Sequence, residues 1–121
     1  MVGALFDTNI LIDHLNAVPL AREEFERFEN RAISIITWME VMVGASADLI
    51  EPTRLFLGGF KVIALHDEIA DRAVALRRTY RIKLPDAVIW ATAQTAGRLL
   101  VTRNTKDFPK DDPGIREPYA L

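Results

Sequence analysis

The sequence predicts an α/β fold: a three-layer α/β/α sandwich around a mostly parallel sheet. Three observations predict it. Short apolar or β-branched runs alternate with longer amphipathic stretches along the chain, the pattern of parallel strands covered by helices on both faces. The chain has 121 residues, enough for one core and too few for two domains of ordinary size, so one domain is expected over 1–121. Half of the residues (50%) are hydrophobic, which suits a packed globule rather than a disordered tail.

The elements follow in order. Residues 2–6 form a short apolar run ending at Asp7, a buried strand. Residues 9–16 carry Ile10, Leu11, His14 and Leu15 at helical spacing. Pro19 suits a first helical position, and Ala21, Phe25 and Phe28 recur on one face, predicting a helix over 20–29. Residues 32–36 are apolar and β-branched, a second strand. Thr37 is expected to cap a helix reaching Gly44. A further helix is expected over 48–57, with Pro52 in its first turn and Gly58-Gly59 stopping it. Residues 60–65 read as a third strand. Asp67 is expected to cap the next helix, with Ile69, Ala70, Ala73, Val74 and Tyr80 on its inward face. Pro85 opens a helix through Ala96, which Gly97 ends. Residues 99–102 form a fourth strand, and the proline-rich tail leaves room for a short edge strand near Ile115.

Composition excludes several classes. There is no cysteine, so no disulfide framework and no thiolate metal site, in keeping with a reducing compartment. No apolar stretch is long enough to cross a bilayer, and no cleavable leader is expected, since residues 1–6 run straight into Asp7 without a basic start; a cytoplasmic protein without a membrane partner is expected. With 15 basic and 17 acidic residues the net charge is −2, so overall charge gives no sign of nucleic-acid binding. Distribution says more. Arg77, Arg78, Arg81 and Lys83 form a basic stretch free of acids, and Arg98, Arg103, Lys106 and Lys110 a looser one. Either can touch phosphates, although a solvated helix face is the commoner meaning of a charge run.

Acidic groups recur at strand-to-helix junctions: Asp7, Glu40, Asp86, and the 102–108 segment with Asn104 and Asp107. Each has a structural explanation. Asp7, Thr8 or Asn9 can cap the first helix. Thr37 and Glu40 have capping-box spacing. Asp86 in a first turn suits the helix dipole. Asn104 and Asp107 can close a short turn. Taken together they mean more, because ligands in an open parallel sheet bind beyond the carboxyl ends of the strands. Clustered carboxylates raise one another's pKa unless a cation sits among them. An all-oxygen set with no cysteine and no histidine pair favours Mg2+ or Mn2+ over zinc. Such a site suits phosphodiester hydrolysis: bound metal activates water and polarises the phosphoryl oxygen.

Other candidates are weaker. His14 and His66 lack metal-ligand spacing. Ser34 and Ser46 lack a nucleophile elbow. Trp38 and Trp90 read as packing residues, and Gly58-Gly59 as a helix stop.

Asp7-Thr8-Asn9, Glu40, Leu84-Pro85-Asp86-Ala87 and the 102–108 segment resemble, in order and spacing, the PIN domain, in particular VapC-type toxins of prokaryotic toxin–antitoxin pairs. The resemblance covers nearly the whole chain. It implies a magnesium- or manganese-dependent endoribonuclease, an RNA substrate, a cognate antitoxin and a homodimer. Carried over, Asp7, Glu40 and Asp86 are core metal ligands and, with Asn104, the catalytic set. Family members often have aspartate where this chain has Asn104, so either Asp107 supplies the charge there or Asn104 acts through water. Thr8, Asn9 and Thr102 take supporting roles, and Arg103 is assigned to phosphate contact. Two other readings remain: a catalytically silent interaction domain of the same fold, whose acids only cap helices, and a magnesium-binding phosphoacceptor module, for which Lys106 is the one suitable lysine.

Overall fold

Among the described residues five strands form one parallel sheet, in the spatial order Lys61–Ile63, Arg31–Ser34, Ala4–Phe6, Leu99–Val101 and Ile115–Arg116. The computed structural model describes residues 2–121; residue 1 of the expected 1–121 domain lies outside the described residues. The strands are β1 (Ala4–Phe6), β2 (Arg31–Ser34), β3 (Lys61–Ile63), β4 (Leu99–Val101) and β5 (Ile115–Arg116). The helices are α1 (Thr8–Leu15), α2 (Pro19–Glu26), α3 (Ile35–Gly44), α4 (Ile50–Leu57), α5 (Asp67–Tyr80) and α6 (Leu84–Thr95), with a short 3-10 turn at Ala47–Leu49 before α4.

The central strand shows why the fold has three layers. Ala4, Leu5 and Phe6 are all fully buried, as a strand covered on both faces requires. Successive side chains point to opposite faces. Leu5 joins a core with Trp90, Leu100 and Phe108, built largely from α5 and α6. Ala4 and Phe6 join a second core with Ile10, Phe25, Ile33 and Phe60, built from the α1–α4 side. There Phe6 meets Phe25 edge-on at 4.9 Å between ring centroids. Such pairs add about 0.5–1.5 kcal/mol beyond area burial. Helix α6 is buried without interruption from Ala87 to Ala93, so it is an interior helix rather than an amphipathic cover. The outer strand β3 exposes Lys61 and Val62; a charged, three-residue strand protects a sheet edge from further pairing.

Several expected boundaries shift. Thr37 does not cap α3. Ser34 does, its hydroxyl accepting the Ile36 N–H at 3.1 Å, so β2 stops at Ser34 and Thr37 sits buried inside the helix. The Glu40-to-Thr37 capping box is accordingly absent: the Glu40 carboxylate accepts the Thr8 hydroxyl at 2.7 Å. Asp67 is not a cap either; His66 holds that position and Asp67 begins the helix proper. On α5 the inward residues are Ile69, Ala73 and Leu76, whereas Val74 and Tyr80 are exposed. The helix expected over 48–57 divides into the 3-10 turn and α4. Three helix ends carry left-handed residues. After α1 it is Ala17, at φ 62°. After α6 this is Gly97, at φ 65°, where glycine has no steric cost. After α5 it is Arg81, at φ 58°.

Candidate functional site

The chain runs from β1 outward to β2 and β3, then crosses back to lay β4 on the other side of β1. Between β1 and β4 the direction of winding reverses, and beyond the carboxyl ends of two such strands lies the crevice where ligands bind in this architecture. Asp7 immediately follows β1 and Thr102 immediately follows β4. Backbone pairing joins them, the Asp7 N–H donating to the Val101 carbonyl at 2.9 Å.

Asp7 is 4% exposed, and three donors hold its carboxylate. The Thr8 N–H reaches Oδ1 at 2.7 Å, and the Thr102 hydroxyl and Asn9 amide reach Oδ2 at 2.7 and 3.1 Å. A carboxylate offers about four lone-pair positions, so one remains for a ligand. Burial pushes its pKa from 3.8 to about 6, against the lowering effect of the Thr102 and Thr8 bonds, and the negative charges of Asp86 and Glu40 add to the rise. Asp7 thus serves as the α1 cap and also carries an electrostatic cost that capping does not require.

The other residues extend this network. Thr102 accepts the Asn104 N–H at 2.9 Å and the Asn9 amide at 3.2 Å, so one hydroxyl ties β4, α1 and the following loop to Asp7. Thr8 lies 3.0 Å from the Thr37 hydroxyl and holds Glu40. Asp86 lies in the first turn of α6 and has its pKa raised by burial, then by the charges of Asp107 and Glu40, with Lys83 opposing. Asn104 donates to the Asp107 carboxylate at 3.0 Å and accepts the Asp107 N–H at 3.2 Å, which closes the loop after β4.

Asp7, Thr8, Asn9, Glu40, Asp86, Arg103 and Asn104 line one cleft of about 340 Å³. Asp107 stands behind Asn104 and acts on the cleft through its charge on Asp86. Among the described residues, no three acidic or imidazole side chains are gathered tightly enough to hold a metal ion as they stand. The donor set nevertheless suits a hard cation: oxygen ligands only, one buried carboxylate with a spare position, and two carboxylates that remain accessible. Lys106 is exposed and does not line the cleft.

Arg103 lines the cleft and also has a partner within the protein. Its guanidinium is gripped by Asp13 at 2.5 and 2.8 Å, so it braces the wall of the cleft. Burial raises the Asp13 carboxyl, but bonds from Arg103 and from the Tyr119 hydroxyl (2.8 Å) outweigh it and hold the group below its usual range. Sequence reading missed Asp13, Thr37 and Tyr119. Asp13 had a local signal, since it follows Asn9 by four residues and therefore shares its helix face. Tyr119, 106 residues away, had none.

Known proteins share this fold. The PIN-domain family profile matches residues 4–111. A toxin–antitoxin complex from Klebsiella pneumoniae contains a chain 50% identical, with a TM-score of 0.93, covering 98% of this chain and 100% of that one. A DNA-bound VapBC structure from Salmonella typhimurium matches at 26% identity and a TM-score of 0.77, covering 96% of each chain. FitAcB from Neisseria gonorrhoeae, at 21% identity and a TM-score of 0.80 over 98% of this chain and 99% of that one, shares the fold. No match was found among curated proteins. With the family profile spanning most of its length and acids gathered at the switch point of its sheet, the chain belongs to the PIN-domain family and is similar to its VapC-type members.

Proposed function

We propose that this protein is the toxin half of a toxin–antitoxin pair and hydrolyses RNA phosphodiester bonds as an endoribonuclease dependent on Mg2+ or Mn2+. One observation carries the reading: Asp7, Glu40, Asp86 and Asn104, spread over most of the sequence, line a single cleft at the switch point. The 50% identical chain within a toxin–antitoxin complex supports the role and an antitoxin partner. A homodimer and a cytoplasmic location belong to the same proposal; among the described residues, no helix is long and apolar enough to cross a membrane.

Asp7, Glu40 and Asp86 would hold the cation, with Asn104 and Asp107 at its margin. When bound, the cation supplies an activated water and polarises the phosphoryl oxygen. The protein's own groups prepare the place. Thr102 and the Thr8 N–H orient Asp7, and Thr8 orients Glu40. The Asp7 carboxyl must lose its proton to act as a ligand, which happens above about pH 6. Asp13 fixes Arg103 along the wall.

The test is cleavage of total RNA by purified protein with Mg2+ or Mn2+, beside Asp86→Asn and a chelated control. Cleavage confined to the metal-loaded wild type is expected. Equal cleavage by the variant would point to a contaminating nuclease, and calorimetry showing no uptake of either metal would leave the silent interaction domain as the better reading.

A further inference from the structure

One charged surface is left unused by the site described above. Residues 72–85 hold five cations and no acid. Two of the cations have internal work: Arg72 donates to Gln94 at 2.6 Å, and Arg77 donates to the Ile82 carbonyl, bracing the α5–α6 turn. Arg78, Arg81 and Lys83 are exposed. Among the described residues, no acid forms a salt bridge with any of them. In a chain of net charge −2, three unpaired cations within six residues make a local positive field.

Their place in the fold matters. Lys83 occupies the cap position of α6 and Asp86 lies in the first turn of that helix. Arg81 is five residues from Asp86, so their Cα atoms are separated by at most about 18 Å. None of the three cations lines the carboxylate cleft, but this short stretch of chain ties them to Asp86, which does. Tyr80, 45% exposed, lies among these cations with its ring 4.8 Å from that of Trp90; aromatic rings among cations suit single-stranded nucleic acid.

The backbone gives an independent reason. The left-handed position that ends a helix is normally filled by glycine, and an L side chain there is strained. At the end of α5 that position holds Arg81, at φ 58°, as Ala17 holds it after α1; of the two, Arg81 alone carries a charge. Neither packing nor an internal bond accounts for the arginine, since its side chain is exposed and takes part in no side-chain hydrogen bond among the described residues.

We propose that Arg78, Arg81 and Lys83 form a phosphate-binding rail beside the cleft, holding the strand whose scissile bond lies among Asp7, Glu40 and Asp86. The inference rests on the nuclease reading. It answers a physical problem of that reading: a polyanion must approach a cleft lined by acids, and adjacent cations offset the repulsion.

The probe is a short fluorescein-labelled single-stranded RNA, bound in EDTA so that it stays intact, and cleaved in a parallel series with Mn2+. Replacing all three residues (Arg78→Gln, Arg81→Gln, Lys83→Gln) should weaken binding about tenfold or more near 0.1 M salt. It should also lower the slope of log affinity against log salt by about 2, since each lost contact to a single strand removes about 0.7. In the cleavage series KM should rise while kcat holds. Arg81→Gly relaxes the backbone as it removes the charge, so a variant that melts no lower than wild type yet binds RNA more weakly separates binding from folding. Lys61→Gln, on the outer strand, should bind as wild type does. Unchanged affinity and salt slope in the triple variant would overturn the rail while leaving the nuclease intact; so would a triple variant that loses only polyglutamate binding, which would assign the patch to an acidic protein segment. Wild type that binds RNA through these residues but never cuts it would sink the nuclease reading and, with it, the rail as stated, leaving an RNA-binding patch with no scissile bond to hold. Wild type that binds no RNA would overturn both.

Discussion

Asp7→Asn should make the metal-free protein more stable at neutral pH and less stable in acid. The Asp7 carboxyl has its pKa raised from 3.8 to about 6 in the folded state. At 1.36 kcal/mol per unit, this rise of about two units is a cost of about 3 kcal/mol to the folded state once the group is ionised. The sign follows from proton counting. Between pH 3.8 and about 6 the folded state binds more protons than the unfolded one, so stability falls as pH rises through that window. The cost is fully present above about pH 6 and vanishes below about pH 4. Asparagine removes the charge, but its amide nitrogen cannot accept the bonds that the two carboxylate oxygens take from Thr8, Thr102 and Asn9. That mismatch costs about 1–2 kcal/mol. The variant should therefore be more stable than wild type by about 1–2 kcal/mol at pH 7.5 in EDTA, and less stable by a similar amount near pH 4. Urea denaturation followed by circular dichroism at the two pH values measures both differences. A variant that is less stable at pH 7.5, by an amount independent of pH, would refute the claim that a strained charge sits at Asp7.

Other outcomes follow from the same site. Mn2+ at about 100 times its Kd should raise wild-type stability by about 2.7 kcal/mol and leave Asp7→Asn unchanged, as thermal melts will show. The pH–rate profile of RNA cleavage should fall below about pH 6, because Asp7 and Asp86 both have raised pKa values; a flat profile down to pH 5 would contradict it. Thr102→Val should push the Asp7 pKa still higher by removing a lowering bond, and move the acid limb of that profile upward. Trp90→Ala should cost about 3–5 kcal/mol in urea denaturation, because Trp90 is 1% exposed and packs edge-on against Phe108 at 5.8 Å.

Local patterning carried much of the fold and missed where two local signals competed. Ser34 and Thr37 are both good cap residues three positions apart. The choice fell to Ser34 because β2 must end where its pairing with β3 ends, at Ser34 opposite Ile63. On α5 the inward face turned out to be Ile69, Ala73 and Leu76, because the partner is α6, whose position no local pattern reveals. The candidate acids were visible as residue types at junctions. Their partners were visible only where they adjoin the acid in the chain, as Thr8 and Asn9 adjoin Asp7. The bonds from Thr102 to Asp7 and from Arg103 to Asp13 span 95 and 90 positions.

The sequence by itself determined the alternation of strands and helices, the all-oxygen character of the site, and the acid-free basic run before Asp86. Periodicity and residue chemistry are properties of neighbours in the chain, so they can be read from it directly. The tertiary structure decided the strand order that puts β4 beside β1, and with it the single cleft shared by Asp7, Glu40, Asp86 and Asn104. It also decided the burial that lifts the Asp7 pKa and the bond by which Asp13 holds Arg103. Those depend on distance and desolvation between residues far apart in sequence, and exist only once the chain has folded.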